Sequence, residues 1–105
     1  MILEQEVMTM MPFISGTEAR QLIDDHGATV LDVRNPNEFA VGAIPGAVNM
    51  PLHVLPVRHE ELDKQKPVIV YCVSGARSAQ AHNFLASLGF KSVNNVGNLQ
   101  NFVNS

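Results

Sequence analysis

The chemistry of this chain is concentrated in the stretch Cys72-Val73-Ser74-Gly75-Ala76-Arg77-Ser78. Cys72 is the only cysteine, so an intramolecular disulfide, a two-cysteine redox pair and a cysteine-rich zinc site are all excluded. A lone cysteine is most often an inert small hydrophobe, and it becomes reactive where its surroundings favour the thiolate. Here the surroundings do. Gly75 permits backbone angles that let successive N–H groups converge as an anion-binding nest. A helix starting near Arg77 turns its positive end toward the loop. Arg77 adds a planar fork of donors suited to an oxyanion. The residues expected to act are Cys72 as nucleophile, with Val73, Ser74, Gly75, Ala76, Arg77 and Ser78 forming the cradle around its sulfur.

Two other sets of residues bear on chemistry. Asp32, Arg34 and Glu38 follow an apolar run. Arg34 is a candidate for binding an anionic ligand. The simpler expectation is a local ion pair between Arg34 and Glu38 that pins the segment, with Asp32 bonded to backbone. His26, His53, His59 and His82 lack metal-ligand spacing and are expected at the surface. His82 lies ten residues beyond Cys72 on a helix and is expected to point away from the loop, which argues against a Cys–His hydrolase. No metal or cofactor is called for.

The elements that must position Cys72 follow from periodicity. The run VIVYC, Val68–Cys72, is the strongest strand signal in the chain. Residues 77–88 then place apolar side chains at 81, 84, 85 and 88, one face of a helix stopped by Gly89. Residues 28–33, ATVLDV, read as a strand buried on both faces of a parallel sheet. Short strands are also expected at 47–50 and 92–96, and a short edge strand at Phe13 and Ile14. Gly97 and Asn98 read as a turn into a terminal segment. Helices are expected from Ser15 or Thr17 to Gly27, over 35–41, and over 54–62. Strands alternating with helices make an α/β domain, and the carboxyl ends of its strands are where ligands bind.

A chain of 105 residues forms one domain. Apolar residues make up 46% and charged residues 16%, a globular balance. The net charge of −3, with no basic run, excludes nucleic acid as an expected partner. No apolar run approaches the roughly 18 residues of a membrane helix. Glu4 and Glu6 stand where a signal peptide carries positive charge, so a cytoplasmic location is expected. Residues 1–12 read as a loosely ordered lead-in and 13–105 as the domain.

Three ordered motifs resemble the rhodanese-like family. YCVSGARSAQAHNFLASLGF (71–90) is similar to its active-site segment of strand, Cys-x-x-Gly-x-Arg-Ser and helix. DVRNPNEFAVGAIPGAVNMP (32–51) and NVGNLQNF (95–102) resemble its upstream and C-terminal motifs. Ala43, Asn98 and Phe102 stand where those motifs carry His, Gly and Trp. The compact layout is similar to small single-domain members of the phage-shock type. The resemblance implies a five-stranded parallel sheet with helices on both faces. It also implies a thiosulfate sulfurtransferase, in which Cys72 takes sulfur from thiosulfate or a similar donor, holds it as a persulfide and passes it to cyanide or a thiol. A relay that hands the persulfide to a partner protein is the alternative. A phosphatase or arsenate reductase is disfavoured, because only four residues separate Cys72 from Arg77 where such loops have five.

Overall fold

The computed structural model describes residues 13–103. The expected lead-in at 1–12 lies outside the described residues. In chain order the elements are α1 (Gly16–His26), β1 (Thr29–Asp32), α2 (Pro36–Val41), β2 (Val48–Asn49), α3 (Leu55–Arg58), β3 (Val68–Cys72), α4 (Ala76–Ser87), β4 (Val93–Asn98) and α5 (Leu99–Val103). Three helix boundaries have a plain local cause. Ser15 caps α1: its hydroxyl accepts the Glu18 N–H at 3.1 Å, and the Glu18 carboxylate accepts the Ser15 N–H at 3.2 Å. Gly27 ends α1 in the left-handed region at φ 63°. Pro36 opens α2 at its first position.

The sheet is parallel throughout, in the order β2-β1-β3-β4. It has four strands among the described residues, where five were expected. Phe13 and Ile14 form no ladder: one bond joins the Ile14 N–H to the Asn95 carbonyl at 2.9 Å, and the cap at Ser15 then turns the chain into α1. The helix expected over 54–62 breaks into 3-10 turns at Leu52–Val54 and His59–Glu61, with one α turn between them. Gly97 and Asn98, expected as a turn, belong to β4. An irregularity between Val70 and Tyr71 shifts the register, so that Gly97 aligns with Tyr71 and Asn98 with Cys72.

Helices cover both faces. Val68, Val70 and Cys72 face one core with Leu31, Val33, Leu55, Ala81 and Leu85, under α4. Ile69 and Tyr71 face the other with Val30, Ala19 and Phe102, under α1 and α5. All five residues of β3 are buried, which accounts for its unbroken apolar run.

One ion pair is buried in this frame. The expected pairing of Arg34 with Glu38 does not form. Arg34 Nη2 instead meets Asp32 Oδ2 at 2.7 Å, and its Nε lies 3.0 and 3.1 Å from the two Asp32 oxygens. Arg34 lies outside α2, and Glu38 on that helix pairs with Arg77 instead. Asp32 also accepts the Arg34 N–H at 2.8 Å, the backbone bond that was expected. Arg34 Nη2 further donates to the Gly42 carbonyl at 2.6 Å, tying the far end of α2 to β1. Asp32 is fully buried and Arg34 nearly so. Removing one partner of such a pair strands a buried charge, a loss of about 3–5 kcal/mol. Arg34→Ala is therefore expected to lower the melting temperature by at least about 12 °C in a thermal scan followed by circular dichroism. The double replacement of Asp32→Ala and Arg34→Leu should recover most of that loss.

Candidate active site

Cys72 ends the buried strand β3, fully buried, with its sulfur on the α4 face. The sulfur accepts two backbone hydrogen bonds, from the Gly75 N–H at 3.0 Å and the Ser78 N–H at 3.4 Å. The thiol faces the Ser78 hydroxyl oxygen at 3.5 Å. That hydroxyl in turn faces the Gly75 carbonyl at 3.0 Å and the Gly97 carbonyl at 3.4 Å. Oriented N–H donors of this kind stabilise negative charge on the sulfur. The nest expected from the glycine loop is therefore present in part, built from Gly75 and Ser78.

The loop reaches this geometry through Gly75, whose φ of 96° is in the left-handed region. A Cβ at Gly75 would lie 3.1 Å from the Phe13 ring. Gly97, with φ 87°, has the same ring 3.1 Å from its own Cβ position. Phe13 therefore lies across two glycines, one in the loop after Cys72 and one in β4. Nothing in the sequence around Phe13 marks it for this role. The paired glycines are the only signal. Val73 and Ser74 are exposed at the loop tip, and the Ser74 hydroxyl accepts the Ala76 N–H at 3.4 Å.

Arg77 is paired with Glu38. Its Nη1 and Nη2 meet the two Glu38 carboxylate oxygens at 2.9 and 3.2 Å. Glu38 also accepts the Asn35 N–H at 3.0 Å, which opens α2. The Arg77 hydrogen bonds, and then the Asn35 N–H, hold the Glu38 carboxyl down at about 2. The Arg77 guanidinium is raised by the same pair. Glu38 is thus a residue of the loop's surroundings that sequence spacing assigned to Arg34.

Beneath the loop, the Arg34 guanidinium lies 5.5 Å from the Tyr71 ring. The Tyr71 hydroxyl accepts the Ile44 N–H at 3.1 Å. It is pushed up to about 12, first by burial and then by the Asp32 carboxylate. Arg34, Val73, Asn98, Leu99 and Gln100 line a cleft of about 290 Å³ across the strand ends. Among the histidines, His26 and His53 are exposed, while His82 is partly covered and meets only the Asn83 side chain, at 3.4 Å. His59 differs from the surface expectation. It packs edge-on to Phe84 at 5.8 Å, with its Nδ1 buried. Among the described residues no cluster of three His, Cys, Asp or Glu side chains is placed to hold a metal. No described helix is long and apolar enough to cross a membrane.

The arrangement places one cysteine sulfur against backbone donors at a strand end. The family described as the rhodanese-like domain matches residues 15–104. A sulfurtransferase of Allochromatium vinosum is 40% identical over 78 residues, covering 74% of this chain and 73% of that protein. The crystal structure of a rhodanese-related protein from Thermoplasma volcanium superposes with a TM-score of 0.77 at 33% identity, over 90% of this chain and 92% of that one. The human single-domain sulfurtransferase TSTD1 superposes with a TM-score of 0.75 at 26% identity, over 90% and 97% of the two chains. The chain belongs to the rhodanese-like sulfurtransferase family.

Proposed function

We propose that the protein moves sulfane sulfur through a persulfide on Cys72, from thiosulfate or a similar donor to cyanide or a thiol. The observation that carries this reading is the Cys72 sulfur as the focus of the Gly75 and Ser78 N–H groups. In the first step the thiolate attacks the outer sulfur of thiosulfate. The new bond joins that sulfur to Cys72, and sulfite leaves with the electron pair of the broken bond. In the second step an acceptor attacks the outer sulfur of the persulfide, and the Cys72 thiolate departs. The Cys72 thiolate is the nucleophile of the first step and the leaving group of the second, so the same two N–H groups serve both. The loop residues Val73, Ser74, Gly75, Ala76, Arg77 and Ser78 surround the transferred atom. No second cysteine is present to discharge the persulfide as a disulfide, so the acceptor is external. A protein thiol fills that role as well as a small one.

Incubation with thiosulfate is expected to add one sulfur atom to the intact mass, and cyanide should remove it with release of thiocyanate. Cys72→Ser should show neither. A stable sulfur adduct on that variant would displace Cys72 as the carrier.

Gly75→Ala tests the cradle separately. The added Cβ meets the Phe13 ring at a backbone angle that alanine disfavours, so the loop must shift and withdraw its N–H from the sulfur. A hydrogen bond to a charged group contributes about 1.5–3 kcal/mol. kcat/KM for thiosulfate should fall roughly 10- to 100-fold, read from the rate of thiocyanate formation.

A further inference from the structure

The charge around the sulfur is decided by where seven lysines and arginines sit. Lys64 and Lys66 precede β3 and Lys91 precedes β4, at the end of the sheet opposite Cys72. The Lys91 N–H donates to the Lys64 carbonyl there at 3.1 Å. Arg20 lies over the Phe102 ring at 4.5 Å, and Arg58 pairs with Glu61 at 3.0 Å. Arg34 lines the cleft, and Arg77 lies in the first turn of α4, just after the loop that follows Cys72. Arg34 is matched by Asp32 at 2.7 Å, and Arg77 by Glu38 at 2.9 Å. Both pairs are two-pronged, so each guanidinium is spent on its own carboxylate. With Glu38 held down at about 2, its pair with Arg77 stays charged and cancelled at any neutral or mildly acidic pH. The rest of the nearby cleft is uncharged: Val73, Asn98, Leu99 and Gln100.

Thiosulfate is a compact dianion, and a site built to draw it in needs uncompensated positive charge. This one has backbone N–H groups for the transferred sulfur and balanced charge around them. We propose that Glu38 sets the charge preference of the donor: by cancelling Arg77 it directs Cys72 toward sulfane-sulfur donors bearing at most one negative charge, organic persulfides or thiosulfonates, over the thiosulfate dianion. The inference rests on Cys72 being the sulfur carrier. With a persulfide R–S–SH, the Cys72 thiolate attacks the outer sulfur. The S–S bond to Cys72 forms, the donor's S–S bond breaks, and RS⁻ leaves with the electron pair. The proton stays on the transferred sulfur, and no oxidant or reductant is consumed. Glu38 touches neither donor nor sulfur. It is a positioning residue that acts through Arg77.

Methanethiosulfonate and thiosulfate test this directly, since they are close in shape and differ by one charge. Cysteine persulfide serves as a third donor. Sulfur loading of Cys72 is followed by intact mass, and each rate is normalised to the reaction of that donor with a free small thiol. The wild type is expected to load about tenfold faster, as kcat/KM, from either low-charge donor than from thiosulfate. Glu38→Gln keeps an acceptor for the Asn35 N–H and removes the charge. It should raise kcat/KM for thiosulfate by about tenfold, chiefly through KM, and leave the other two donors within about threefold. The thiosulfate gain should shrink as ionic strength rises. Glu61→Gln, which frees Arg58 away from the loop, should leave the donor ratios unchanged. A wild type that prefers thiosulfate overturns the inference. So does a Glu38→Gln protein that slows on all three donors alike through kcat, because that is what a merely structural Glu38 does. Failure of every donor to load Cys72 in any variant would remove the sulfurtransfer reading itself, and this inference with it.

Discussion

Val68 to Cys72 are all buried between two cores, and that burial fixes where the Cys72 sulfur can be. Alternation along β3 sends Cys72 to the α4 face and Tyr71 to the other. The strand ends at Cys72, and the loop has only three residues in which to reverse direction before α4 begins at Ala76. A reversal that tight needs one positive φ, and Gly75 supplies it. The N–H groups of Gly75 and Ser78 then have a sulfur in front of them. The cradle is thus a by-product of a buried strand meeting a helix through a minimal turn.

Electrostatics complete the frame from the neighbouring strand. The buried Asp32–Arg34 pair carries a desolvation cost. It offsets that cost by reaching several backbone groups at once, including the Arg34 N–H and the Gly42 carbonyl. Through Gly42 it holds the end of α2, and α2 presents Glu38 to Arg77. One arginine–carboxylate pair thereby places the element from which the second is made. Tyr71 joins the two halves, with its hydroxyl near Asp32 and bonded to the Ile44 N–H.

The sequence made β3, α4 and the position of Cys72 legible because each rests on a local signal: an unbroken apolar run, a 3.6-residue period, a glycine in a short loop. The Ser15 cap and the start of α2 at Pro36 were legible for the same reason. The pairing of charges was not. Arg34 and Glu38 are four apart, and helical spacing suggests a bond. Yet Arg34 lies outside the helix, and the true partner of Glu38 is 39 residues away. The role of Phe13 was hidden likewise, since its contacts with Gly75 and Gly97 exist only after β3 and β4 pair. The missing fifth strand has a simpler cause. After the single bond from Ile14 to Asn95, the capping box at Ser15 turns the chain into α1 and away from the edge of β4.

The depth of the Cys72 sulfur has a consequence for wear. With no exposed surface, the resting sulfur is shielded from the bulk oxidants that drive thiolates stepwise to sulfinic and sulfonic acids. The packing that fixes the thiol in place thus also guards it from over-oxidation.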